Sequence, residues 1–199
     1  MVSLRNELDL YIQELLSLQF KASNGITHNP TKGTLREKFI KQEVLNQYPA
    51  LLLKSGILVD EGWQSSQVDF IWLKENARVG NFNVYELSDC KMFMEIKSCA
   101  KHSEFMDLNT VSEEIHMRAI EKNPEHHILT GMFCYSTEAS EKTVLRKFGF
   151  KYDKELQGYL NYDAEIDILK EIDFLVSLNI SEDNETSPYM VKRDFYGNC

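Results

Sequence analysis

Met92-Phe93-Met94-Glu95-Ile96-Lys97 is an apolar run that carries a carboxylate and an ammonium two positions apart. Its apolar and aromatic content predicts a strand. Side chains alternate along a strand, so Glu95 and Lys97 share one face, and Met92, Met94 and Ile96 take the other. Gln67-Val68-Asp69-Phe70-Ile71-Trp72 repeats the device: Asp69 shares a face with Gln67, opposite Val68, Phe70 and Trp72. Ionised groups among core residues cost on the order of several kcal/mol unless they are paired or hold a metal. If the two strands are neighbours, Asp69 and Glu95 bring their oxygens to one point. Two hard carboxylates suit Mg²⁺, an ion that keeps several waters and commonly bridges to phosphate. Lys97 beside them is a cation able to orient or help deprotonate a water and to offset charge building on a phosphoryl group.

Working outward from these strands, apolar positions Leu4, Leu8, Tyr11, Ile12, Leu15 and Leu18 predict a helix to about Lys21. A loop is expected from Ser23 to Gly33 and a second helix from Thr34 to Gln47, ended by Tyr48-Pro49. Gly56–Asp60, Gln67–Leu73, Met92–Lys97 and His127–Tyr135 are the central strands, with a turn or extra hairpin between Lys74 and Lys91. Helices are expected at Thr110–Lys122, opened by a Thr110-x-x-Glu113 capping box, and at Glu138–Phe148, stopped by Gly149. The tail gives weaker signals: a short helix over Glu165–Glu171, a strand over Ile172–Leu178, a polar loop over Ser181–Pro188 and an edge strand over Tyr189–Tyr196. The order describes one mixed α/β domain with helices on both sides of a sheet.

Length and composition bound the function. At 199 residues, 43% hydrophobic and 27% charged, the chain is an ordinary globular one. It lacks the about 18 consecutive apolar residues of a membrane span, and Glu7, Asp9 and Glu14 interrupt any signal peptide. Four scattered cysteines without C-x-x-C spacing fit reduced thiols in a cytoplasm. The net charge of −9 resides wholly after His102: 12 Lys+Arg face 12 Asp+Glu up to that point, and 10 face 19 beyond it. A neutral first half leaves room for a nucleic-acid face; the acidic second half also suits a basic partner.

Asp69 followed by Glu95-Ile96-Lys97 resembles the PD-(D/E)XK nuclease superfamily, whose members often place a further acid on a preceding helix. Glu37 occupies that place. The longer pattern of Gly33, Arg36, Glu37, Ser65, Gln67, Asp69, Glu95, Lys97 and Ser98 resembles nuclease-like domains of bacteria and phages, some tied to anti-phage defence. The resemblance spans roughly Gly33 to Tyr135; Val68 stands where the superfamily's proline would be, and the gap between Asp69 and Glu95 is longer than in simple members. It implies a restriction-endonuclease-like mixed sheet flanked by helices and Mg²⁺- or Mn²⁺-dependent hydrolysis of nucleic acid, above all DNA. Asp69 and Glu95 would hold the metal, with Glu37 assisting and the Ile96 carbonyl as a further ligand. Lys97 would activate the attacking water. One such site cuts one strand, so double-strand cleavage implies a homodimer or a partner protein.

Bland readings stand beside these. Thr34-x-x-Glu37 is also a capping box, and Glu95 with Lys97 also fits a solvated edge-strand pair. Gln67, Arg36, Lys38 and Lys41 are candidate substrate contacts, and Lys32 and the later group Lys142, Arg146, Lys147 and Lys151 offer further cations; solvated helix faces explain them equally. His28, His102, His116, His126 and His127 show neither HxxxH nor HExxH spacing, which argues against zinc. No P-loop or dinucleotide-binding glycine motif occurs. A second function class is a non-catalytic subunit on a nuclease-like scaffold that docks a basic partner through its acidic half; a third is an acidic mimic of DNA.

Overall fold

The computed structural model describes residues 4–80, 82–155, 157–181 and 185–192. Two helices come first, α1 (Leu4–Ser23) and α2 (Asn29–Gln47), followed by the hairpin β1 (Leu52–Asp60) and β2 (Trp63–Leu73). A short β3 (Val84–Glu86) and a 3-10 turn lead into β4 (Cys90–Lys97), then α3 (His102–Lys122), β5 (Leu129–Cys134) and α4 (Glu141–Lys147). The chain continues through β6 (Phe150–Asp153), β7 (Gly158–Tyr162), β8 (Phe174–Ser177) and β9 (Tyr189–Lys192). Seven strands form one mixed sheet in the order β3-β1-β2-β4-β5-β8-β9, and β6 pairs with β7 apart from it. β2 runs antiparallel to both β1 and β4, whereas β4, β5 and β8 are mutually parallel neighbours.

Two apolar clusters sandwich the sheet. One joins Val68, Ile71, Leu73, Phe93 and Met132 to Phe105, Leu108, Ile115 and Ala119 of α3 and to Val144 and Phe148. The other joins Phe70, Met94, Ile96, Phe133 and Tyr135 to Leu16 of α1 and Ile40 of α2. Helices therefore cover both faces, the arrangement that a mixed sheet with crossover helices requires. This is the expected mixed α/β architecture.

Several boundaries differ from the sequence reading. α2 starts at Asn29, not Thr34: the His28 ring accepts the Thr31 N–H, and Pro30 sits in the first turn where its missing N–H costs nothing. Gly33 is consequently helical, and Glu37 lies two turns inside α2, where it cannot cap. α3 likewise starts eight residues early, because the Glu104 carboxylate accepts the Lys101 N–H at 2.8 Å. Thr110 is an interior residue whose hydroxyl donates back to the Met106 carbonyl. β3 lies parallel to β1 and so is no hairpin partner of β4. The β6–β7 hairpin was not expected. The segment expected as a helix over Glu165–Glu171 is a strap instead: Ile168 and Leu169 donate to the Lys147 carbonyl, and the Asp167 carboxylate also takes the Leu169 N–H. α4 runs from Glu141, not Glu138, because the Ser140 hydroxyl caps it by accepting the Thr143 N–H, and Gly149 just past its end stops it as expected, in the left-handed region at φ +84°. Of the last two tail segments, residues 182–184 and 193–196 fall outside the described residues; β9 is the edge strand.

Candidate active site

The alternation of β2 breaks near Asp69. Lys54 and Gly56 of β1 face Ile71 and Val68 of β2, so β2 carries one residue more than β1 between those pairs. Such a bulge bends the strand and re-aims a side chain. Val68 consequently packs in the same cluster as Phe93, while Phe70 and Trp72 pack on the α1–α2 side. Strict alternation had put all three on one face. Ser65 braces the strand here: its hydroxyl accepts the Leu58 N–H at 2.9 Å and donates to the Ser66 carbonyl at 2.6 Å.

β2 and β4 pair from Leu73 opposite Cys90 as far as Phe70 opposite Met94. Beyond Met94, β4 is paired only with β5, through Glu95–Met132, Ile96–Phe133 and Lys97–Cys134. The Ile96 N–H that this divergence would leave open donates instead to Asp69 Oδ2 at 3.0 Å. Asp69 thus closes the ladder with its side chain. Its carboxyl also lies within hydrogen-bond reach of the Glu95 carboxyl. The carboxyl groups of the two strands therefore meet at one point.

Lys97 Nζ donates to Glu95 Oε2 at 3.0 Å, with the two side chains 30% and 19% exposed. Glu37 projects from α2 with Lys41 one turn on, their charged atoms 4.0 Å apart; Lys41 also donates to the Ser55 hydroxyl. Burial first, and the Asp69 charge second, push both Glu37 and Glu95 above the ordinary carboxylate range, against the opposing pull of Lys97 on each and of Lys41 on Glu37. Burial would lower Lys97, but Glu95, Asp69 and Glu104 together hold it above its ordinary value. Burial lowers Lys41, with Glu37 and Asp69 pulling the other way. Asp69, Glu95 and Lys97 thus lie together where β2 and β4 part, and Glu37 on α2 feels the Asp69 and Lys97 charges from across the site.

A cleft of about 280 Å³ opens beside them, lined by Ser66, Gln67, Glu95, Lys97, Glu104 and Asp107 and floored by Val68, Phe93, Leu108 and Val111. Glu104 and Asp107 stand one turn apart on the first two turns of α3, and only a helix that starts at His102 places them on the cleft.

Arg36 requires correction. It was expected among the substrate contacts, yet it is buried, and its guanidinium donates to Ser23 Oγ at 2.8 Å, to Asn24 Oδ1 at 2.7 Å and to the Ser98 hydroxyl, while lying 4.0 Å over the Phe20 ring. Donors spent inside the fold do not bind phosphate. Arg36 instead ties the α1–α2 turn to Ser98, the residue that follows Lys97, and so anchors α2 against the end of β4. Lys38 is exposed and Gln67 is exposed at the cleft wall. In the later basic group, Lys151 pairs with Asp163 and Lys147 donates to the His102 ring at 2.8 Å; Lys142 and Arg146 are exposed.

No protein-family model matches this sequence, and no curated protein matches it. Solved structures do match its fold. NucC of E. coli MS115-1 in its cAAA-bound form shares 15% identity over 96% of this chain and 84% of its own, with a TM-score of 0.60. The cAAA-bound NucC of P. aeruginosa ATCC27853 gives 13% identity, 98% and 85% coverage and a TM-score of 0.61. The apo form of the E. coli protein gives 14% identity, 96% and 85% coverage and 0.53. The fold is similar to that of NucC, a mixed sheet flanked by helices, which is the architecture expected from the sequence.

Proposed function

We propose that this chain is a Mg²⁺-dependent nuclease that hydrolyses DNA phosphodiesters at the junction of β2 and β4. The observation that carries the reading is the meeting of Asp69 and Glu95 across two diverging strands, with Lys97 at 3.0 Å from Glu95 and Glu37 brought in from α2. A site built for packing alone would not set two carboxyls within hydrogen-bond reach of each other in a half-buried sheet, with a third acid on the helix beside them. An all-oxygen donor set with surplus negative charge fits a hard divalent cation, which Asp69 and Glu95 would hold, with Glu37 and the Ile96 carbonyl assisting. When bound, such an ion lowers the pKa of water and offsets charge on the phosphoryl oxygens.

The remaining work falls to the chain's own groups. The ammonium of Lys97, held by Glu95, is aimed to hydrogen-bond the attacking water and to stabilise the charge that grows on the phosphoryl group. Glu37 accepts a hydrogen bond from that water or takes its proton. The cleft carries Glu95, Glu104 and Asp107 against Lys97, so a phosphate backbone is repelled until cations neutralise it. Gln67 at the cleft wall, with Lys38 and Lys41 on α2, would orient the substrate.

The test incubates purified protein with plasmid in Mg²⁺, in chelator, and in each with added cAAA, since two of the matched structures carry that ligand. Cleavage in Mg²⁺, abolished by chelator and by Lys97→Ala, is the expected result; cleavage confined to the cAAA arm would mark a gated enzyme of the same kind. Cleavage that persists in Lys97→Ala, or none in any arm, refutes the proposal. Among the described residues no helix is long and apolar enough to cross a membrane. A homodimer, or a partner protein of a defence complex, would supply the second cut that duplex cleavage needs.

A further inference from the structure

Far from the carboxyl cluster, three elements bring imidazoles and carboxylates together at the start of the parallel strands. One ligand atom each from His116 of α3, His127 just ahead of β5 and Asp173 just ahead of β8 lie within 4.8 Å of one another. Glu171 stands beside them, its Oε2 3.0 Å from His116 Nδ1. We infer that His116, His127 and Asp173, with Glu171 adjoining, form a second metal site that takes Zn²⁺ and pins α3 to the starts of β5 and β8. The inference goes beyond the nuclease reading and does not depend on it.

The tautomer of His116 carries the argument. Its Nε2 lies 2.9 Å from the Ile128 carbonyl, which can only accept, so Nε2 bears the hydrogen. Nδ1 of a neutral ring then turns its lone pair toward a carboxylate oxygen at 3.0 Å. Two electron pairs do not face each other at that distance without a positive centre, which is either a second proton or a metal ion. A backbone carbonyl fixing the far nitrogen is how metal-bound histidines are commonly oriented.

The spacing fits a metal. At Zn–N and Zn–O bonds of about 2.0–2.2 Å, tetrahedral neighbours stand about 3.3 Å apart. Within the cluster, His127 Nε2–Asp173 Oδ2 at 3.4 Å matches that value, and His116 lies within 4.8 Å of both, so a modest side-chain closure would complete the set. Asp173 is 3% exposed and also accepts the Thr130 N–H at 2.7 Å, whereas His127 is an exposed side chain, giving a cation a way in from solvent. Two imidazoles with carboxylate oxygen form a donor set that selects zinc over magnesium. Five residue steps of chain, the last three of them within β5 and spanning about 10 Å at roughly 3.3 Å per residue, separate His127 from Met132, the partner of Glu95. The two sites are thus distinct. Histidine spacing in the sequence argued against zinc because the ligands stand far apart in sequence and no helix carries two of them.

The test uses the full chain, stripped of metal and held in excess Mg²⁺ so that the all-oxygen site is filled, and titrates it with Co²⁺ followed by Zn²⁺. One equivalent of Co²⁺ should bind with tetrahedral visible bands, without the thiolate charge-transfer band that exposed Cys99 would give, and Zn²⁺ should displace it and raise Tm. His127→Gln, at an exposed position that tolerates change, should weaken binding by at least the about 10- to 100-fold that loss of a mere outer partner costs. Glu95→Gln should leave it unchanged. No Co²⁺ uptake at micromolar concentration would show that His116 holds a proton instead and overturns the site; so would a thiolate band, or affinity that His127→Gln and Asp173→Asn leave intact.

Discussion

Asp69 has two separable tasks, and two substitutions divide them. As a structural group it satisfies the Ile96 N–H at 3.0 Å, on a residue only 8% exposed. As a charge it raises Glu37 and Glu95 and is proposed to hold the metal. Asp69→Ala removes both, leaving a donor without a partner at a loss of about 1–3 kcal/mol. For a chain of this length each kcal/mol moves Tm by about 2–4 °C, so Asp69→Ala should melt roughly 2–12 °C lower in chelator. Asp69→Asn keeps an acceptor oxygen for Ile96 while removing the repulsion on its two neighbours. It should melt at or above the wild-type temperature. Both variants should lose Mg²⁺-dependent cleavage by at least about 100-fold, the scale on which loss of one electrostatic stabiliser is felt. Differential scanning fluorimetry in chelator, paired with a plasmid nicking assay, reads both quantities. If Asp69→Asn melts as low as Asp69→Ala, the closing hydrogen bond is not what the side chain contributes to the fold. If Asp69→Asn cleaves normally, the carboxylate holds no metal.

Because burial and Asp69 raise Glu95, its native state binds a proton more tightly than the unfolded chain, so the charged form opposes folding above that raised pKa and the opposition fades as pH falls through it. In chelator, the Tm difference between Glu95→Gln and wild type should therefore favour the variant at pH 8 and shrink toward pH 4; a difference independent of pH would refute the shift. Mg²⁺ should raise the wild-type Tm more at pH 8 than at pH 5, and calorimetry that finds equal stabilisation at both would separate binding from these carboxyls. Arg36→Lys, whose donors all radiate from one nitrogen and cannot reach acceptors spread around a planar fork, should cost about 1–3 kcal/mol of stability, and a chemical denaturation curve superimposable on wild type would show the clasp to be idle. Lys38→Ala, at an exposed site, should leave Tm unchanged but reduce the salt dependence of DNA binding by about one counterion, measured by fluorescence anisotropy at several salt concentrations; an unaltered slope would remove Lys38 from the interface.

The sheet was legible because its strands are short apolar runs between polar turns, and the charges inside them were conspicuous for the energy they forfeit if left unpaired. Asp69, Glu95 and Lys97 could be singled out on that ground alone. Glu37 could be placed on a helix ahead of β1, yet whether it capped that helix depended on five residues of boundary, which Pro30 and the His28 ring decided. Arg36 and Ser98 appeared as separate letters of one pattern; 62 residues apart, they prove to be donor and acceptor of a single bond. Glu104 and Asp107 stayed hidden behind a misplaced helix start.

Local sequence determined the central strands and the presence of ionised groups that no core tolerates alone, because periodicity and desolvation act within a few residues. Only the tertiary structure decided which of those groups meet. A bulge in β2 re-aimed Asp69, the parting of β2 from β4 left Ile96 for it to bind, and Arg36 was turned inward to hold α2 in place. Chain reversals also set His116 beside His127 and Asp173. Such encounters depend on strand register and helix docking, which couple residues tens of positions apart and leave no spacing in the sequence to read.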